Sequence, residues 1–546
     1  MQLTKSLAAL LALATLSGCA KVGTQNSAGG GRHPWTQAGV LRVGIQSEPK
    51  NLNPVLASNT TDNAITRLMF DPLISADAKG NPVPMLAAQV PTLQNGGISK
   101  DGLTITYKLR PNVKWQDGQR LTSKDVKFTY EAVMNSNNNV TSRRGYDLVK
   151  SVATPNATTV VFTMKQKFAP VINTLFAESD NPVTIIPAHL LSKFHDLNQV
   201  PFNNQPMGSG PFKLAQWQHG DHLTFVPNND YFLGKPRLKK IVVHVIPDEN
   251  TEINELKTHD LDWMFEASTA TYKFLKTMTD INTHLVPHNG YEGIQFNTSR
   301  PLLRDPRVRQ AIAYAIDRNV LVDNLTYGSA KLATEDLPDF MWAYNPQVKV
   351  YPHDVQKAKQ LLSEAGWTMG RNGVLTKNGE KLSLLLVSNG QTNATRRQAS
   401  VLVQSMLKQV GIDVEVKTYP GAVLFAPAGE GGILQLGKFD MGLSGWFAGI
   451  DPDDSSNYIC SMIPPGGYNY TRYCNKQMDS AQQDALTHFD QPARKVAYAK
   501  IESLLADDMP QLFFWWPRQA QPVNPDFQGF DPNPVTETWN SYQWAI

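Results

Sequence analysis

The chain has 546 residues, long enough for large cores and for more than one folded unit. Apolar residues make up 41% and charged residues 18%, the balance of an ordinary globular protein. Fifty-one basic residues face 48 acidic ones, and a net charge of +3 is too small to imply a nucleic-acid or anionic-membrane partner.

The N-terminus reads as a targeting segment. Lys5 supplies a positive charge, and residues 7–16, LAALLALATL, form an apolar run too short for a permanent membrane span. Leu16-Ser17-Gly18-Cys19 follows and resembles a bacterial lipobox, in which cleavage leaves the cysteine first and its sulfur takes diacylglycerol. Residues 1–18 are thus expected to be a lipoprotein signal peptide, Cys19 the lipidation site, and 19–35 a lipidated flexible tether. GTQNSAGGG (23–31) has the small, polar composition that role needs. No other stretch is long and apolar enough to cross a bilayer.

The first half of the chain reads mainly as strands and loops. VLRVGIQ (40–46) has strand composition, while LTITYKLR (103–110) and TVVFTMK (159–165) alternate apolar and polar residues. A helix, SKDVKFTYEAVM, follows Thr122, with Thr122 or Ser123 as cap and Asp125 in its first turn. The second half changes rhythm. Asp305-Pro306 opens a helix with Val308, Ala311, Ile312, Ala315 and Ile316 on one face. Asp354 caps another, with Gly366 as its stop. LSLLLVS (382–388), a helix carrying Ala399 to Val410 and ending at Gly411, and IDVEVKTY (412–419) form a βαβ unit with parallel strands. FDMGLSGW (439–446) is the next strand, with Trp446 at or just past its C-terminal end, where open α/β sheets bind ligands. The helix KVAYAKIESLLADD ends before Pro510.

Catalytic motifs are missing. There is no G-x-S-x-G elbow, no H-E-x-x-H and no Walker loop. His284 and His288 are four apart, but Pro287 separates them. In GWFAGIDPDD (445–454), Asp451, Asp453 and Asp454 cluster, yet Pro452 interrupts them and no glutamate closes a calcium loop. Turn and cap roles are expected there, and no metal or cofactor is called for. Cys460 and Cys474 bracket the turn-rich SMIPPGGYNYTRY and are expected to form a disulfide.

Five ordered stretches carry a resemblance: NLNPVLASNTTDNAITRLMFDPLI (51–74), LTITYKLRPNVKWQDGQRLTSKDVKFTYEAV (103–133), MGSGPFKLAQW (207–217), NNDYFLGKPRLKKIVV (228–243) and GIQFNTSRPLLRDPRVRQAIAYAIDR (293–318). Together they resemble the family 5 extracellular solute-binding proteins, the dipeptide, oligopeptide and nickel receptors of ABC importers. The resemblance implies an α/β, two-lobed periplasmic-binding-protein-like fold (type II) with mixed sheets and a two-segment hinge. Lobe one would be 36–290 plus 518–546, and lobe two 291–517. It implies no enzyme, but a receptor that delivers a peptide to an ABC permease.

Trp446, flanked by Gly445 and Phe447, matches the tryptophan of the family's G-W ligand segment. In the peptide receptors an aspartate that follows G-W after two intervening residues binds the ligand's ammonium; here Ala448, Gly449 and Ile450 carry no charge. The arginine expected soon after 382–388 is also displaced, to Arg396 and Arg397 on the following helix. Ser47, Glu48 and Asn53 after the first strand, and Met207, Gly208 and Ser209, are further cleft candidates. A sugar or opine on the same fold, or an envelope chaperone-like or hydrolytic protein, are the alternatives. A monomer, lipid-anchored in the cell envelope, is expected.

Overall fold

The computed structural model describes residues 32–546. The signal peptide, Cys19 and most of the tether lie outside the described residues.

Capping chemistry starts the helices where the sequence places them. Thr122 and Asp125 form a reciprocal capping box on Ser123–Met134. Asp305 caps Pro306–Ala315, Asp354 caps Val355–Glu364 and Asn393 caps Ala394–Lys408. Gly366 and Gly411 follow two of these helices at φ of 86° and 82°, which L side chains rarely adopt.

The fold is two-lobed α/β, built on two mixed sheets. The first has seven strands in the order Asn282–Pro287, Arg518–Val523, Trp263–Met264, Val40–Ile45, Lys240–Val245, His222–Pro227 and Phe212–Gln218. The second has six: Lys331–Leu332, Gln511–Trp516, Gly290–Phe296, Met441–Phe447, Ser383–Ser388 and Asp413–Thr418. Ser383–Ser388 and Asp413–Thr418 pair in parallel across the helix Ala394–Lys408. Inside the first lobe, a three-stranded antiparallel sheet of Thr104–Lys108, Thr159–Met164 and Val149–Asn156 shares the seven-stranded sheet's core. The second lobe has its own core of Ile294, Phe296, Leu384, Leu386, Met441 and Leu443 against Ile312, Leu362 and Val403.

The chain passes between the sheets twice, at His288-Asn289 and at Pro517. The crossings touch: the His288 N–H donates to the Pro517 carbonyl at 3.3 Å. Cys460 and Cys474 are joined as a disulfide, closing the turn-rich loop between them.

Three distant segments of the first lobe meet at Asp262, which has no exposed surface. Its carboxylate accepts from the Arg42 N–H at 2.9 Å, from Arg42 Nε and Nη2 at 2.8 Å each, and from Asn524 Nδ2 at 2.8 Å. Deleting one member of such a buried pair strands the other's charge, at a cost of about 3–5 kcal/mol. Asp262→Ala is therefore expected to lower chemical-denaturation stability by about 3 kcal/mol. A loss below about 0.5 kcal/mol, the range of an ordinary surface change, would show that the Asp262 tie is dispensable.

Candidate functional site

The strand Met441–Phe447 lies between Gly290–Phe296, antiparallel, and Ser383–Ser388, parallel. Its last three residues are Gly445, Trp446 and Phe447, opposite Glu292, Tyr291 and Gly290. Gly445 is glycine for a reason of space, since a Cβ there would come within 2.6 Å of Glu292 Oε1. That carboxylate is gripped by Arg396, with Nε to Oε2 at 2.9 Å and Nη2 to Oε1 at 2.6 Å. Arg396 also donates to Asn389 Oδ1 at 3.0 Å. The arginine displaced along the sequence is thus already engaged by a carboxylate of its own lobe.

Trp446 is half-buried and packs against Tyr468, with ring centroids 5.4 Å apart. Its other surroundings come from the first lobe. Trp446, Ala448 and Asp451 on one side, and Arg144, Asn173 and Asp180 on the other, line a cavity of about 30 Å³. That is room for a water molecule only, since Arg144 and Asn173 reach across to Asp453 and Asp451 and bring the lobes into contact here. Phe447 is 51% exposed and stands edge-on to His288, centroids 6.2 Å apart. Desolvation pushes the His288 pKa down to about 4, so the ring at this crossing is neutral at neutral pH.

The turn after Trp446 is held from both lobes. Asn289, in the crossing segment, accepts from the Ala448 N–H at 2.8 Å and donates to the Gly449 carbonyl. The Ile450 N–H donates to the Glu178 carbonyl at 3.1 Å. A Cβ on Gly449 would lie 2.6 Å from that carbonyl oxygen and 2.6 Å from the Ser179 Cα. Gly449 is the position at which the resemblance to the peptide receptors leads one to expect an ammonium-binding aspartate. Here that place is filled by first-lobe backbone. Glu178 is itself fixed, accepting from Ser75 Oγ at 2.6 Å and from Arg67 Nη2 at 3.1 Å.

The three aspartates of the turn go separate ways. Asp451 pairs with Arg494 of the helix Gln491–Asp508 and accepts from Asn173 Nδ2 at 3.2 Å. Asp453 accepts from the Ser455 N–H at 3.1 Å, a turn role, and pairs with Arg144 at 2.7 Å. Asp454 does not cap Ser455–Tyr458 with its side chain, contrary to the cap role open to it in the sequence. It turns inward, 5% exposed, and burial together with Asp336 pushes its pKa well above the usual carboxylate range. Arg144 is held protonated by Asp453, Asp180 and Asp451 despite the opposing effect of burial.

The remaining sequence candidates are not brought to Trp446 by their polar groups. Asn53 is fully buried, bonded to Asn203 and to the Val55 N–H. Ser209 is 1% exposed and donates to Asp71 at 2.9 Å. Gly208 packs on Met69, whose carbonyl oxygen a Cβ would strike, and Met207 lies against the first-lobe core. Glu48 clasps the 212–227 hairpin through Trp217 Nε1, His219 and the Gly220 N–H. These side chains satisfy the first lobe's own interior and turns. Ser47 is exposed at the end of its strand. Reading the sequence missed Arg144, Asn173, Glu178 and Asp180. Arg144, Glu178 and Asp180 lie in loops and Asn173 in the single turn of helix Val171–Thr174, none within a motif, and Arg144 is 309 residues from the aspartate it meets.

A family model described as bacterial extracellular solute-binding proteins, family 5 Middle, matches residues 81–466. The oligopeptide-binding protein AppA of Bacillus subtilis (strain 168) is 29% identical over 517 residues, covering 93% of this chain and 92% of the relative. The solved structure of AppA from Bacillus subtilis in complex with a nonapeptide superimposes with a TM-score of 0.72 at 28% identity, covering 92% of this chain and 98% of that one. NikZ from Campylobacter jejuni, solved in complex with Ni(L-His), gives a TM-score of 0.75 at 26% identity, covering 94% and 100%.

Gly449→Ala tests the packing of the turn. The added methyl meets backbone on the first lobe, so the closed arrangement is penalised while each lobe's fold is not. Expected is a larger radius of gyration in small-angle X-ray scattering with an unchanged melting temperature. An unchanged radius would show that the contact with Glu178 does not hold the lobes together.

Proposed function

The chain belongs to the family 5 bacterial extracellular solute-binding proteins, and from that premise we propose that it captures a peptide between its lobes and presents the closed complex to an ABC importer. It is a binding protein, not an enzyme, as its relatives are. One observation carries the ligand reading: the wall around Trp446 is assembled from both lobes at the C-terminal end of a sheet strand. A ligand seated there touches both bodies, and contacts made only in the closed form shift the population toward it. The nonapeptide bound by AppA supports the peptide class. The bodies that move are 36–290 plus 518–546 and 291–517, turning about His288-Asn289 and Pro517.

The ammonium of the peptide is received by Asp180 in this reading. Its side chain is exposed at the Trp446 cavity, across from the uncharged Ala448-Gly449-Ile450. Asp451, Asp453 and Glu292 are each occupied by an arginine. The protein works as a monomer, tethered through lipid on Cys19; the ordered Leu16-Ser17-Gly18-Cys19 supports this.

Titrating free and N-acetylated peptides tests the site. Trp446→Ala is expected to weaken both by about tenfold or more, the loss of about 1.4 kcal/mol of aromatic contact. Asp180→Asn is expected to weaken only the free-amine peptide, by about tenfold. Equal affinities for the two peptides in the unaltered protein would remove Asp180 from the role, and a protein that binds sugars but no peptide would end the peptide reading.

The anchor has its own test. Cys19→Ala should move the protein from the membrane to the soluble fraction, and a variant that stays on the membrane would contradict lipidation there.

A further inference from the structure

Behind the Trp446 turn, three carboxylates from separate segments converge. Asp336 comes from the loop before Phe340, Asp454 from the end of the turn, and Glu502 from the helix Gln491–Asp508. One oxygen from each lies within 4.8 Å of the others. Calcium holds its oxygens at about 2.3–2.6 Å, so two ligand atoms on one ion can be at most about 5 Å apart. The spacing fits a shared centre.

Burial makes the cluster more than an acidic surface. Asp336 is 3% exposed, Asp454 5% and Glu502 0%. Asp336 Oδ1, Asp454 Oδ2 and both oxygens of Glu502 have no hydrogen-bond partner outside the cluster. The nearby guanidiniums are spent elsewhere: Arg494 on Asp451, and Arg318 on the carbonyls of Ala333, Phe513 and Tyr351. Like charges this close in a low-dielectric interior cannot remain ionised without a counter-charge.

A neutral group points the same way. Gln482 is 1% exposed, and its amide is directed at the cluster, with Nε2 2.8 Å from Asp454 Oδ1. Its Oε1 is buried and unpartnered. The nitrogen faces Asp454; turned about its terminal bond, the amide would present Oε1 to the carboxylates instead, and that oxygen with three carboxylates is the mixed hard-oxygen set that calcium accepts, without the imidazole or thiolate that nickel and zinc favour.

We propose that Asp336, Asp454 and Glu502, with Gln482 as neutral donor, form a divalent-cation site of the calcium type in the second lobe. The ion would fasten the segment that carries Trp446 and Asp453 to the helix Gln491–Asp508. It lies apart from the ligand cavity and is independent of what that cavity binds. The segment meets the first lobe through Asp453 and Arg144, so the ion would stiffen the side of the site that the first lobe closes on.

The test uses the full chain after chelator treatment. Calcium chloride is titrated by calorimetry, and terbium by luminescence sensitised through the cluster's neighbours Tyr291 and Tyr458. One equivalent should bind. Calcium at a hundred times its Kd should raise the melting temperature by several degrees, since binding to the native state alone stabilises it. Glu502→Gln and, separately, Asp336→Asn should abolish both signals. Each keeps the side chain's shape, so one folded variant suffices. Overturning results are a wild-type chain that binds neither ion, its carboxylates then sharing protons among themselves, or a Glu502→Gln protein that keeps the full calcium shift. An equal shift from magnesium would overturn the calcium assignment.

Discussion

The turn that follows Trp446 can lie against the first lobe because residue 449 has no side chain. The Glu178 carbonyl occupies the space a Cβ would need, and the Ile450 N–H donates to it. Glu178 in turn cannot drift, because Arg67 and Ser75 hold its carboxylate in the first lobe's interior. Asn289 grips the same turn from the crossing between the sheets. One short backbone seam therefore joins the ligand wall, the first lobe and the chain's own crossing point. The lobes meet at the wall proposed to hold the ligand, and contacts made there only in the closed form would favour closure.

Charge is arranged along that seam by burial and pairing. Asp451 and Arg494 are both nearly fully buried, and the guanidinium also lies over Trp342 and Tyr498 at 5.3 and 5.6 Å. A buried pair of this kind adds little net stability, because desolvation offsets most of the attraction. Its consequence is positional, as it fixes the turn to the helix behind it. Asp453 does the corresponding job toward the first lobe through Arg144. Three carboxylates within four residues thus meet three different sets of partners: Arg494 and Asn173, Arg144, and the buried Asp336 and Glu502. Short-range sequence shows them as one cluster.

The fold constrains the frame more than the cargo. Structures of this architecture are solved with a nonapeptide and with Ni(L-His). A fold shared across different cargoes leaves the choice of ligand to the side chains of the site. In this chain the site holds a glycine against first-lobe backbone, an arginine closed on Glu292, and Asp180 exposed on the opposite lobe.

The sequence by itself determined the local structure and the family. Asp305-Pro306, Asp354 with Gly366, and the βαβ run from 382 to 419 are short-range signals, because caps, left-handed stops and periodic faces depend on neighbours a few residues away. The strand ending at Trp446 was legible for the same reason. The partners of that tryptophan were not. Arg144, Asn173, Glu178 and Asp180 come from loops and one short helical turn without period or motif, and the tertiary fold alone carries them across some 300 residues. Asn53 and Ser209 show the converse: polar residues in loops invite a ligand role, yet packing turned both inward. Asp454 is the sharpest case. Its sequence context reads as a cap, and only the convergence of two other segments on it decided that it faces a buried carboxylate cluster. Burial and long-range contact set what a side chain meets, and neither is written in the residues beside it.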